Sequence, residues 1–279
     1  MSAATVEPMR APIRLVVADV DGTLVDQHKA LTPATIAAVA RLRGAGIGFT
    51  IISARPRSGM LPLAETLGID APMGAFNGGT LFRRDGSIAF QHHIAPDVVR
   101  AVLALVEGAP VDRWLFADDR WYASSTTGPH VASERIASNQ SPVLTDDLTP
   151  FCDRADKLTL VSDDAALLAE IFARAAPLGA RATIAQSQVY YLDVTAPAAN
   201  KGDGIAALAA AMDVPLSAVA AIGDQANDVP MFARARLSIA MGQGPAAVRA
   251  KADRVTASND ADGVAKAIDG MILGKPARD

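Results

Sequence analysis

Cysteine is almost missing from this chain: Cys152 is the single one among 279 residues. That excludes an internal disulfide and a cysteine-built metal cluster, and it fits a reducing compartment. Basic blocks are missing too. The 26 Lys and Arg residues are dispersed through a chain of net charge −4, which offers no clustered footprint for nucleic acid. The first dozen residues, MSAATVEPMRAP, lack the apolar central stretch of a signal peptide and read as a loose tail, 1–12. An alanine-rich stretch, 205–222, is broken by Asp213 and Pro215, so it makes no membrane span. Internal repeats and low-complexity segments are absent as well. The expectation is a soluble cytoplasmic protein without nucleic-acid or membrane partners; oligomeric state is not legible.

What is present is apolar mass. Half of the residues are hydrophobic, enough over this length to bury the cores of two domains or one large one. From 13 to 77 the pattern runs strand, helix, strand, helix, strand, as parallel α/β layers do. Thr32-Pro33 opens the first helix, threonine as cap and proline at the first helical position, and Gly44 or Gly46 closes it. After Asn77 the style changes. Segments 80–82 and 87–91 flank Arg83-Arg84-Asp85-Gly86, a hairpin turned at Asp-Gly. A helix over 96–107 follows, then strands over 113–117 and 120–124 joined at Asp118-Asp119, a strand over 157–161, a helix over 165–176, and strands over 182–185 and 189–194. This mixture predicts a second, α+β domain inserted at 83–196. From Asn200 the strand–helix alternation resumes through Ile222, 237–240 and Val255, so the first domain is discontinuous: 13–82 and 197–279.

Four places carry chemistry. Asp19-Val20-Asp21-Gly22-Thr23 closes the apolar run 13–18, and alternation along a strand sends positions 19 and 21 to one face while Gly22 lets the backbone turn. Acids at the carboxyl end of a strand in an open α/β sheet sit where such sheets place ligands. One could attack while the other handles a proton; the plainer alternative is an Asp-Gly turn. A second apolar strand ends in Ser53, with Arg55 just beyond; the serine either donates to a phosphoryl oxygen or caps a helix. Asn200-Lys201-Gly202-Asp203-Gly204 opens a helix with a lysine where the macrodipole favours anions, against the usual fate of lysine as a solvated side chain. Finally, 219–228 runs into Gly223-Asp224-Gln225-Ala226-Asn227-Asp228, two carboxylates four apart with Asn227 beside the second; capping by Asp224 and Asn227 explains only one of the acids.

Together these places resemble the haloacid dehalogenase-like hydrolases, and among them the Cof-type phosphatases that carry a large cap after the second motif. DVDGTL at 19–24 matches the first motif and GDQANDVPMF at 223–232 the fourth; Asn77-Gly78 and the segment 239–268 also look like that subfamily. Ser53-Ala54-Arg55 stands where relatives show Thr-Gly-Arg, which keeps the hydroxyl, and Gln243 stands where asparagine is common. The resemblance implies a Rossmann-like parallel-sheet core with the inserted α+β segment as cap, and a phosphatase acting on a small phosphorylated metabolite such as a sugar phosphate or a phosphorylated cofactor. It implies Asp19 as nucleophile, Asp21 as acid and base, Ser53 on a phosphoryl oxygen, and Lys201 shared between Asp19 and the phosphoryl group.

A phosphate facing such acids is repelled: two unit charges about 4 Å apart interact by about 4 kcal/mol at an effective dielectric near 20. A cation has to intervene, and hard oxygen donors without His or Cys point to Mg²⁺. The resemblance implies the Asp19 carboxylate, the Asp21 carbonyl and Asp224 as its ligands, with Asn227 and Asp228 close by. Recognition of the leaving group falls to the cap, where Trp114, Trp121, Tyr122, His130, Tyr190 and Tyr191 are candidates, although rings in a small domain more often form core. Two other readings use the same residues: a phosphosugar mutase, which returns the phosphoryl group to a second hydroxyl, and a non-catalytic phosphometabolite-binding protein.

Overall fold

A computed structural model describes residues 12–274 of the chain; all but the last residue of the 1–12 tail lies outside the described residues. A five-stranded, wholly parallel sheet forms the first layer, in the order Arg254–Val255, Leu237–Ala240, Val219–Gly223, Leu15–Ala18, Gly48–Ile51. Its strands are apolar on both faces because both faces are covered. Val16, Ala18, Ala220 and Ile222 pack with Val39, Leu42, Met60 and Ile268 on one side, whereas Leu15, Val17, Val219 and Ala221 pack with Ile205, Leu208 and Phe232 on the other. Alternation along each strand thus feeds two helix layers, the doubly wound arrangement.

The helices begin and end where their local chemistry allows. Thr32 Oγ1 accepts from Thr35 N at 3.2 Å ahead of the helix Pro33–Gly44, and Gly46 beyond it has φ +73°. Asn200 caps Lys201–Ala211 by accepting from Asp203 N at 2.9 Å. A small antiparallel sheet, Met73–Ala75, Thr80–Phe82 and Ile88–Gln91, joins the parallel sheet through the bridge from Ile52 to Gly74.

The segment that follows builds a six-stranded sheet in the order Thr183–Gln188, Tyr191–Thr195, Ala155–Val161, Asp112–Ala117, Arg120–Ala123, Val143–Leu144, antiparallel except for the last pair. Asp118 and Asp119 both take positive φ (53° and 56°) at the tight turn between Asp112–Ala117 and Arg120–Ala123, the backbone a two-residue hairpin needs. Leu115, Leu158 and Leu160 face the helices Pro96–Leu105 and Ala165–Ala175. Trp114, Phe116 and Trp121 lie on the opposite face and pack into the buried cluster of the parallel sheet, with Val39, Leu42 and Met60. A short helix, Val131–Ser138, also stands on that side; its sequence VASERIAS has too little apolar periodicity to announce it.

Candidate active site

The acid-rich loops converge at the carboxyl ends of the two central parallel strands. Leu15–Ala18 delivers Asp19, whose N–H donates to Ile222 O at 2.9 Å, and the backbone then turns through Gly22 at φ +77°. A side chain at Gly22 would put its Cβ 2.5 Å from Asp224 Oδ2, so glycine is required both by conformation and by the carboxylate pressed against it. Ser53 is held from two sides, donating through its N–H to Gly74 O (2.9 Å) and accepting at its carbonyl from Asn77 N (2.7 Å). Its hydroxyl accepts from Arg55 N at 3.2 Å and does not cap the next helix, Arg57–Leu67, which Pro56 precedes.

Lys201 is buried and spans two carboxylates, 2.5 Å from Asp19 Oδ1 and 2.6 Å from Asp228 Oδ1. Asp228 turns its other oxygen back on the loop, accepting from Asp224 N (2.7 Å) and Gln225 N (2.8 Å). The capping of this turn is therefore done by Asp228 and Gln225, not by Asp224 and Asn227. Asp224 accepts from Thr23 Oγ1 at 3.1 Å and Gln225 Nε2 at 3.2 Å. Asn227 is exposed and donates to Asn77 Oδ1 at 3.2 Å, outside the buried group. Gln243, one methylene longer than the asparagine of the resemblance, donates to Gly22 O at 2.5 Å and accepts from Asn259 N at 3.1 Å, bracing the turn.

Burial raises the Asp19 carboxyl well above its ordinary value; Lys201 opposes this while Asp228 and Asp224 add to it. Burial and then the Asp228 charge lift Asp224 to about 6, against Lys201, Thr23 and Gln225. Burial disfavours the Lys201 charge, but Asp19 and Asp228 overcome it and hold the ammonium above its usual range. Oxygens of Asp19, Asp224 and Asp228 lie within 4.8 Å of one another. Three carboxylates against one ammonium leave the cluster short of positive charge, and an all-oxygen donor set suits a hard divalent cation, so these residues fit Mg²⁺.

Asp21 stands apart from this group. Its carboxylate takes Arg55 through two hydrogen bonds (2.7 and 2.8 Å) and Lys29 Nζ at 2.6 Å. Burial works against its charge, but Arg55 and Lys29 prevail and hold it well below the usual carboxylate range. Sequence reasoning passed over Lys29, which carries no motif signal, and mentioned Arg55 only as a neighbour of Ser53.

Asp19, Asp21, Ser53 and Arg55 open onto a cavity whose far wall comes from the inserted segment: Glu134, Lys157, Tyr190, Tyr191 and Asp193. Of the six ring candidates, Tyr190 and Tyr191 line this cavity, and His130 stacks on Tyr190 with centroids 3.6 Å apart. Trp114 and Trp121 are fully buried against each other, and Tyr122 stacks on Phe151 on the sheet's other side; these three are core. Glu134, Lys157 and Asp193 had no motif to mark them; Lys157 shares its strand with Asp156 and Thr159, and Asp193 shares its strand with Thr195.

The family model for haloacid dehalogenase-like hydrolases matches residues 16–268. A pyridoxal phosphate phosphatase of Escherichia coli is 25% identical over 266 residues, covering 91% of this chain and 97% of its own. An HMP-PP phosphatase of Cronobacter sakazakii is 27% identical over 229 residues, 82% of this chain and 84% of its own. Among solved structures, a haloacid dehalogenase-like hydrolase from Bacteroides thetaiotaomicron superposes with a TM-score of 0.84 at 25% identity, covering 93% of this chain and 99% of that one.

Proposed function

The chain belongs to the haloacid dehalogenase-like hydrolases and is a phosphatase, and from that premise we propose that it hydrolyses a small phosphate monoester with Mg²⁺, carrying the phosphoryl group on Asp19. One observation carries the reading: Asp19, buried to 5% exposure, faces the cavity with the Lys201 ammonium 2.5 Å from its carboxylate.

The Asp19 carboxylate attacks phosphorus, the ester P–O bond breaks, and its electron pair leaves on the alcohol oxygen. Asp21 supplies that oxygen's proton. Water then attacks phosphorus, gives a proton to Asp21, and frees Asp19 and inorganic phosphate. Paired with Arg55 and Lys29, Asp21 is set for the second half; in the first it must carry a proton, so the substrate has to loosen that ion pair. Lys201 offsets charge on Asp19 and the phosphoryl oxygens, and Ser53 offers its hydroxyl to one of them. Mg²⁺ would be held by Asp19, Asp224 and the Asp21 carbonyl, with Asp228 and Asn227 beside them, and supplies there the positive charge that lets a dianionic phosphate approach carboxylates.

We assign 13–82 and 197–279 as the catalytic core and 83–196 as its cap; residues of both line the cavity. The named relatives act on pyridoxal phosphate and HMP-PP, which supports a small phosphorylated metabolite as substrate. The test is phosphate release from a panel of phosphorylated metabolites. Release should require Mg²⁺, stop with chelator, and be lost in Asp19→Asn while thermal unfolding shifts little. Release in step with substrate loss and without an isomeric phosphosugar excludes the mutase. Turnover above background in Asp19→Asn overturns the assigned nucleophile.

A further inference from the structure

Three ionisable side chains from three different elements meet on the cavity wall opposite Asp19: Glu134 on Val131–Ser138, Lys157 on Ala155–Val161 and Asp193 on Tyr191–Thr195. Each is more than nine-tenths buried, at 8, 7 and 7% exposure. Charged groups taken out of water are normally paired. These are not. Among the described residues Lys157 Nζ has no carboxylate within 4.0 Å; its neighbours are Ala54 O at 3.5 Å and the Phe116 ring, 4.7 Å to the centroid. The Glu134 carboxylate takes no side-chain hydrogen bond from a described residue. Asp193 accepts one, from Thr159 Oγ1 at 2.6 Å.

Building on the phosphatase reading, we propose that Glu134, Lys157 and Asp193 recognise the substrate's leaving group, and that this group is an uncharged polyol or sugar. The signs of charge on the wall select it. A second anionic group would meet Glu134 and Asp193, and a cationic one would meet Lys157 with Arg55 behind it. An apolar ring would offer no hydrogen-bond partner to the Glu134 carboxylate or to the free valences of Lys157 and Asp193, a costly outcome for buried groups. A hydroxylated chain or ring donates to both carboxylates, accepts from the ammonium, and lays its C–H face on Tyr191. Sites built to bond hydroxyls discriminate strongly against analogues that lack them.

Calorimetric titration of the Asp19→Asn protein, which retains the wall, tests this with inorganic phosphate, phenyl phosphate, pyridoxal 5′-phosphate, glycerol 3-phosphate, ribose 5-phosphate and glucose 6-phosphate as probes. At least one hydroxylated ester should bind about tenfold or more tightly than phenyl phosphate, an excess that Lys157→Met and Glu134→Gln each remove. Phosphate and phenyl phosphate should bind those variants as before. Tighter binding of pyridoxal phosphate than of every hydroxylated ester, or an excess that survives both substitutions, overturns the proposal. Parallel loss for all probes assigns the wall a structural role and overturns it equally. The catalytic reading is judged separately on the unsubstituted chain: hydroxylated esters that bind but release no phosphate sink that reading and leave the recognition wall standing.

Discussion

Glu134 shows at one residue how recognition is set against stability. Burial lifts its carboxyl from 4.5 to about 7; Lys157 and Arg55 partly counter this, and Asp193 and Asp21 reinforce it. The folded chain therefore holds a proton that the unfolded chain releases between pH 4.5 and 7. Stability from this group is complete below pH 4.5 and is lost as pH rises through 7, and the loss is on the order of 3 kcal/mol. Glu134→Gln removes the titration. The variant should match the parent near pH 5 and unfold several degrees higher at pH 8.5, as thermal melts at the two pH values will show. An offset independent of pH would mean that the carboxyl is not the source. A buried carboxyl that costs stability on a cavity wall fits use by a ligand.

At the level of elements, the helix Lys201–Ala211 illustrates how backbone spacing delivers Lys201, the lysine proposed to act in catalysis, to the acidic cluster. Glycine in a helix costs roughly 1 kcal/mol relative to alanine, yet Gly202 and Gly204 stand in its first turn. A Cβ on Gly204 would lie 2.5 Å from Ile52 Cδ1 and 3.0 Å from Gly78 Cα, so the bare turn is what lets the helix start slide under the loop at Phe76–Gly78 and seat Lys201 between Asp19 and Asp228. Gly204→Val should destabilise by about 1–3 kcal/mol through overpacking and, by lifting Lys201, lower phosphate release more than tenfold. Gly44→Ala, where a Cβ meets nothing within 4 Å, should leave both unchanged; equal effects of the two would remove the packing argument. Elements of this kind were legible in the sequence: strand ends carrying acid pairs, the Thr-Pro helix start, the Asp-Gly and Asp-Asp hairpin turns. Their signals are local, set by capping, turn chemistry and apolar runs. The helix Val131–Ser138 and the wall residues Glu134, Lys157 and Asp193 were not legible, because their roles arise when three distant segments fold over a site that none of them builds alone. The Lys29 and Arg55 pairing with Asp21 escaped for the same reason.

For the molecule as a whole, the inserted segment assigned as cap is held over the cavity by its contacts with the parallel-sheet layer. One polar contact lies between the helix Arg57–Leu67 and the end of Val131–Ser138, beside the apolar packing of Trp114, Phe116 and Trp121 against Met60 and Phe76. Ser58 Oγ donates to Ser138 O at 2.8 Å, Gln140 Nε2 donates to Ser58 Oγ at 2.6 Å and to Asp119 O at 2.8 Å, and Arg57 stands 3.7 Å from Asp119. These few hydrogen bonds, about 1 kcal/mol each, make a latch beside that apolar packing and hold Val131–Ser138 over the cavity. Gly59 sets how tightly it shuts, since a Cβ there would come 2.1 Å from Ala137 O, a clash with backbone that only separation relieves. Gly59→Ala should therefore hold the helix that bears Glu134 away from Asp19. Amide hydrogen exchange over Val131–Ser138 should quicken about tenfold, exchange in Leu15–Ala18 and Val219–Gly223 should stay the same, and turnover of a hydroxylated ester should fall more than that of phenyl phosphate. Faster exchange everywhere would signal general destabilisation, and unchanged exchange in that helix would show that other contacts keep the domains together.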